Sequence, residues 1–144
     1  MSTRCQIAFY ESKPKDLNKF EALIYRHSDG YPEGVLPDIE PFLKQWSKNR
    51  GIDDIEYCSA RLLQHLCNSY DGHMKPVEER NGKEMLFAGI LGHGICKGFH
   101  SDIEYLYSIY PDKIDVYEIS SKCYDKGYNL IDVNKVKKVK SVNL

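Results

Sequence analysis

The segment Tyr25-Arg26-His27-Ser28-Asp29-Gly30-Tyr31-Pro32 concentrates side chains able to bind or react. Arg26 offers a planar fork of donors that matches phosphate. His27 is of the residue type that can serve as acid, base or metal ligand. Tyr25 and Tyr31 supply aromatic faces for stacking on a base, and His27 with Asp29 suits sugar or phosphate oxygens. Gly30, with Gly34 beyond it, permits positive φ or close backbone approach, and Pro32 stiffens the exit. A plainer reading stands beside this one: Ser28 and Asp29 hydrogen-bond a turn, and Tyr25 is a core residue. If Phe20 to Arg26 is a strand, Tyr25 and His27 point to one face and Arg26 to the other. Arg26 and His27 then converge only if the turn begins by His27.

The tripeptide His-Ser-Asp occurs twice, at 27–29 and at 100–102. With both segments at one sheet edge, His27 and His100 could flank a phosphodiester as base and acid. Two-histidine phosphoesterases place a hydroxyl two positions after each histidine, on the same strand face. Here Ser28 and Ser101 are adjacent to their histidines and face the other way. His93 lies in Gly92-His93-Gly94, whose amides suit an anion but which also reads as a bulged strand or bend. No P-loop, dinucleotide fingerprint, H-E-x-x-H or G-x-S-x-G occurs. A metal would require long-range assembly of His27, His93, His100 and Asp29, and neither metal nor cofactor is expected.

These residues need elements to position them. Cys5, Ile7 and Phe9 alternate with Gln6, Ala8 and Tyr10, which predicts a first strand; Phe20 to Arg26 predicts a second. Pro37-Asp38 predicts the start of a helix carrying Ile39, Phe42, Leu43 and Trp46 on one face, with Gly51 as its stop. A second helix begins near Asp53-Asp54, with a stripe from Ile55 through Cys58, Leu62 and Leu66 to Tyr70. His73 to Lys83 reads as an exposed loop, and Glu84 to Leu91 returns to apolar residues. A hairpin follows, Ile103 to Ile109 and Ile114 to Ile119, turning at Pro111-Asp112. Val133, Val136, Val139 and Val142 repeat every three residues, fitting neither strand nor helix well, so the basic tail 134–144 is expected to be an edge strand that frays. The whole predicts one α+β domain over 1–144, an antiparallel sheet with two consecutive helices packed on one face.

Bulk properties narrow the function classes. Charged residues make up 28% and the formal net charge is −1, so no global field draws in nucleic acid or an anionic membrane. No apolar run approaches the roughly 20 residues of a membrane span. The five cysteines have no C-x-x-C pair; odd count and irregular spacing argue against a disulfide framework or zinc ribbon and for a reducing cytoplasm. Eleven tyrosines, several in the predicted hairpin, read as cross-strand aromatic pairs, a base pocket or a subunit interface.

The Tyr25-x-His27-x-Asp29-Gly30-Tyr31-Pro32 pattern, after a Ser-Thr-Arg start, resembles a group of small uncharacterised proteins of phages, plasmids and archaea. They share an N-terminal Tyr-x-His-x-Asp-Gly-Tyr-Pro segment. The likeness covers roughly the first 38 residues and implies a viral or mobile-element origin, where ligand-sequestering and counter-defence proteins are frequent. The expected function is binding of a small phosphorylated, nucleotide-like ligand through Tyr25, Arg26, His27, Asp29, Gly30, Tyr31 and His93, with a homodimer interface as a further element. The alternatives are a hydrolase using His27 and His100, and an interaction module with a tyrosine-rich sheet.

Overall fold

Alternation places Cys5, Ile7 and Phe9 on one face of the first strand and Gln6, Ala8 and Tyr10 on the other. All six are buried, so β1 (Cys5–Phe9) is covered on both sides. The computed structural model describes residues 2–71, 91–124 and 131–144; the predicted loop at 73–83 and most of the apolar stretch after it lie outside them. The elements that follow are β2 (Ala22–Arg26), α1 (Pro32–Asn49), α2 (Ile55–Ser69), β3 (His93–Ile95), β4 (Tyr105–Ile109), β5 (Lys113–Glu118) and β6 (Lys137–Asn143). The six strands among the described residues join one sheet in the order β3-β2-β1-β4-β5-β6.

The expectation of a purely antiparallel sheet is corrected by one pair. β1 and β4 run parallel, while the other neighbours are antiparallel. The cause is the route of the chain. From β3 at one edge it crosses β2 and β1 before entering β4, so β4 arrives travelling in the direction of β1. This crossover, residues 96–104, contains no helix. Phe99 and Ile103 anchor it by burial. The buried Gln6 amide pins it at two points, donating from Nε2 to the Gly98 carbonyl at 3.2 Å and accepting the His100 N–H at 2.9 Å.

Buried side chains fall into two clusters. The first joins Cys5, Ile7 and Phe9 to Ile24, Tyr107, Ile109, Ile114 and Val116. Val35, Ile39 and Leu43 of α1 and Cys58, Leu62 and Leu66 of α2 belong to it. The second joins Ala8, Tyr10, Leu23 and Leu106 to the loop residues Leu17, Phe99, Ile119, Cys123 and Ile131. The two sides of the sheet are called here the Ile7 face and the Ala8 face.

Helix α1 starts at Pro32, not at Pro37 as its sequence suggests. Pro32 takes the first helical position, where no N–H is needed, and the Tyr31 carbonyl accepts the N–H groups of Gly34 and Val35 at 2.9 and 3.0 Å. Pro37 and Pro41 are thus interior prolines. Both are exposed, which lets water reach the carbonyls they leave unbonded. Gly51, at φ 96°, follows the helix and gives its carbonyl to Trp46 Nε1 at 2.9 Å.

The basic tail forms edge strand β6, which holds Val139 and Val142 but not Val133 or Val136, and the three-residue spacing of the two within it has a local cause. The register with β5 slips between Val116, paired with Lys140, and Tyr117, paired with Lys138. Val139 is the extra residue of a bulge, so a strict period of two is not expected across it.

Candidate functional site

Strand alternation in β2 continues one residue past its end, because the His27 N–H donates to the Gly92 carbonyl at 2.9 Å. Tyr25 and His27 therefore share the Ala8 face, while Arg26 takes the Ile7 face. The dense octapeptide is divided between two sides of one sheet.

On the Ile7 face the residues form a closed network. Arg26 is only 1% exposed. Its Nη1 pairs with Asp38 Oδ2 at 2.7 Å, Nε donates to the Ser28 carbonyl at 2.9 Å, and its plane lies 4.2 Å from the centre of the Tyr70 ring. The fork offered to phosphate by the sequence is engaged inside the fold. Asp29 adopts φ 55°, a left-handed conformation that Asp tolerates better than most residues. Its carboxylate accepts hydroxyls from Tyr31 at 3.1 Å and Tyr70 at 2.7 Å. Burial, then the Asp29 carboxylate, push the Tyr70 hydroxyl up to about 12. Gly30 is required sterically: a Cβ there would sit 2.8 Å from the Thr3 carbonyl oxygen and 2.9 Å from Cys5 Cβ. Its own carbonyl accepts the buried Tyr107 hydroxyl at 2.6 Å.

His93 belongs to the same side. Its ring is sealed from solvent, with Nδ1 2.8 Å from Asp71 Oδ1, and it meets the Tyr70 ring edge-on. Burial lowers the His93 pKa, and Asp71 opposes that shift in part. The unfolded chain therefore binds this proton more tightly than the native one. The stability due to the neutral ring is complete above the ordinary imidazole value of about 6.5 and is lost as pH falls below it, towards the lower native value. Urea midpoints measured downward from about pH 7.5 should decline through this window in the wild type. That part of the decline should be absent in His93→Asn; identical profiles would exclude His93 as the sensor.

The Ala8 face carries a different arrangement, centred on Tyr25. The Tyr25 hydroxyl is 3.1 Å from His27 Nδ1. Its ring stacks on His100, with centroids 4.7 Å apart and planes inclined by 22°. The His27 and His100 segments thus meet through Tyr25, and both imidazoles are exposed. His100 is held by its backbone, through Gln6 on its N–H and the Tyr124 hydroxyl on its carbonyl. Arg4 closes one side, with Nη1 3.1 Å from Asp102 Oδ2. Burial and then the Asp102 carboxylate push the Tyr25 hydroxyl up, against the opposing charge of Arg4. Beside the cluster is a hollow of about 440 Å³ lined by Lys97, Gly98, Phe99, His100, Ser101 and Asp102. Opposite Tyr25 in the β2–β3 pair stands Gly94, and a Cβ there would meet nothing within 4 Å.

Of the residues singled out by sequence, Tyr25, His27 and His100 come together. Arg26, Asp29, Gly30, Tyr31 and His93 lie in or beside the Ile7-face network. Arg4, Gln6 and Cys96 join the Tyr25 cluster without having been foreseen, and Asp102 of the second His-Ser-Asp joins it through Arg4. A glutamine amid the apolar residues of β1 was the one available signal, since a buried amide must find partners. Among the described residues, no three His, Cys, Asp or Glu side chains converge as a metal-ligand set, and no helix is long and apolar enough to cross a membrane. Comparison with family models, with curated proteins and with solved structures finds no match to this chain, so the geometry of the Tyr25 cluster carries the functional argument.

Proposed function

We propose that the chain binds a small phosphorylated, nucleotide-like ligand on the Ala8 face, at the His27–Tyr25–His100 cluster. The observation that carries this reading is the seating of Tyr25 between two exposed imidazoles, one hydrogen-bonded and one stacked. Imidazoles and the guanidinium of Arg4 supply donors for phosphate oxygens, with Lys97 on the rim of the adjoining hollow. Tyr25 and His100 offer aromatic faces to a base. In this reading α1 and α2 together cover the opposite, Ile7 face, a placement supported by their shared cluster with Cys5, Ile7 and Phe9. The Arg26–Asp29–Tyr31 network then acts as the frame that fixes the end of β2. Sequestration of such a ligand in the cytoplasm by a virus- or mobile-element-encoded protein is the biological setting that fits.

The same pair of histidines favours one second reading, a phosphodiesterase-like hydrolase with His27 and His100 as base and acid. One experiment separates them: the protein is incubated with a panel of cyclic and linear nucleotides, heated to release what it holds, and analysed by mass spectrometry. Intact nucleotide supports binding; cleaved nucleotide supports hydrolysis. His27→Ala should weaken binding about ten- to a hundredfold, as expected for loss of a hydrogen bond to a charged group. Neither binding nor turnover across the panel would leave the tyrosine-rich sheet as an interaction surface.

A further inference from the structure

Cys96 adjoins the Tyr25 cluster without any evident part in holding an anion. Its Sγ lies 3.6 Å from His100 Nε2. Burial pushes the thiol up, with the Gln6 amide opposing. A thiol kept protonated reacts slowly until a base removes its proton. His100 is a base fixed in three ways: its N–H on Gln6, its carbonyl under the Tyr124 hydroxyl, and its ring against Tyr25. A nucleophile within reach of a base that a third group orients is the arrangement used in covalent catalysis. Cys96 is half-buried, and its chain neighbours Gly94 and Gly98 carry no side chain that could cover it. The hollow lined by Lys97 to Asp102 begins at the next residue. The other cysteines lack this setting. Cys5, Cys58 and Cys123 are buried, and half-buried Cys67 has the Asp71 carboxylate as its neighbour.

We propose that Cys96 and His100 form a nucleophile–base pair that exchanges acyl thioesters. The Sγ proton passes to His100 Nε2 as the sulfur attacks the thioester carbonyl carbon. The bond from that carbon to the departing sulfur breaks, and the departing thiol takes the proton back from His100. The products are acylated Cys96 and a free thiol, with no oxidant and no net proton change. Leaving-group chemistry selects this substrate class. An amide must expel an amine that has to be protonated first, whereas a thioester expels a sulfur as good a leaving group as the attacking one, so the exchange asks of the protein the proton transfer this pair supplies. The proposal uses the placement of His100 and not phosphate binding; nucleotide affinity measured on Cys96→Ser tests the earlier reading separately.

The test uses the full chain and the acetyl thioester of N-acetylcysteamine, with acetylated peptides mapped by mass spectrometry over a pH series. Acetylation of Cys96 should be about tenfold or more faster than that of Cys67, and slowed about tenfold or more in His100→Gln, the lower range for general-base assistance. Acetylation of Cys96 no faster than Cys67, or unchanged in His100→Gln, overturns the proposal. Should His100→Gln disturb the fold, the wild-type protein decides: acetylation of Cys96 that keeps no lead over Cys67 at any pH of the series overturns the pairing.

Discussion

Replacing Arg26 by alanine is expected to cost on the order of 3 kcal/mol of stability, the lower range for removing one partner of a buried ion pair. For a domain of this size that lowers the melting temperature by about 10 °C. Arg26 is sealed, whereas Asp38 keeps 30% of its side chain exposed. The orphaned carboxylate can therefore recruit water, which holds the loss near the low end. Three further contacts vanish with the guanidinium: the bonds to the Ser28 and Gly34 carbonyls and the stacking on Tyr70. Arg26→Lys keeps a charge for Asp38 but lacks the fork and the flat face, so it should recover less than half of the loss. Thermal unfolding of the three proteins measures this. A variant of wild-type stability that has lost nucleotide binding would reverse the assignment, making Arg26 a ligand residue and not part of the frame.

Gln6→Leu should cost about 2–6 kcal/mol, because it preserves shape while leaving two backbone groups, the Gly98 carbonyl and the His100 N–H, without their partner at about 1–3 kcal/mol each. The second consequence is functional. His100 loses one of the two bonds that hold its backbone, so nucleotide affinity should fall towards that of His100→Ala, although Gln6 is itself buried. Calorimetric titration compares the two variants, and amide exchange across residues 96–104 should rise in Gln6→Leu. Affinity retained in Gln6→Leu would mean that the Tyr124 hydroxyl and the stacking on Tyr25 together suffice to place the imidazole.

The amphipathic helices were legible from their apolar spacing, and β1 from its alternation, because burial on known faces writes those periods directly. The start of α1 was misplaced because two prolines competed for one role and the interior one came with Asp38 beside it. The parallel β1–β4 pair was not legible: it depends on where a nine-residue crossover without helical pattern is laid down, and the Gln6 contacts that hold it span more than ninety positions. The same limit applied to the site. Tyr25, His27 and His100 stood out by residue type, yet their grouping with Arg4 and Cys96 arises only when β1, β2 and the crossover are side by side. Conversely, Arg26 looked reactive beside Tyr25 and His27 because a strand prints both of its faces into one line of text, while Asp29 and Tyr31 follow in the turn to α1.

Strand β1, one of the two middle strands of the sheet, precedes its neighbour β4 by most of the described elements, and one of its long edges stays open until β4 arrives. During synthesis, the β1–β2 pair must wait while about eighty further residues, 27 to 109, are made before that edge closes, which at about 5–20 residues per second is roughly 4–16 seconds. Throughout this interval an apolar ribbon presents free amides and carbonyls to any neighbouring strand, the condition that favours association between nascent chains. Crowded ribosomes on one message would thus test this topology more severely than dilute refolding, and slow, long-range closure should govern its rate.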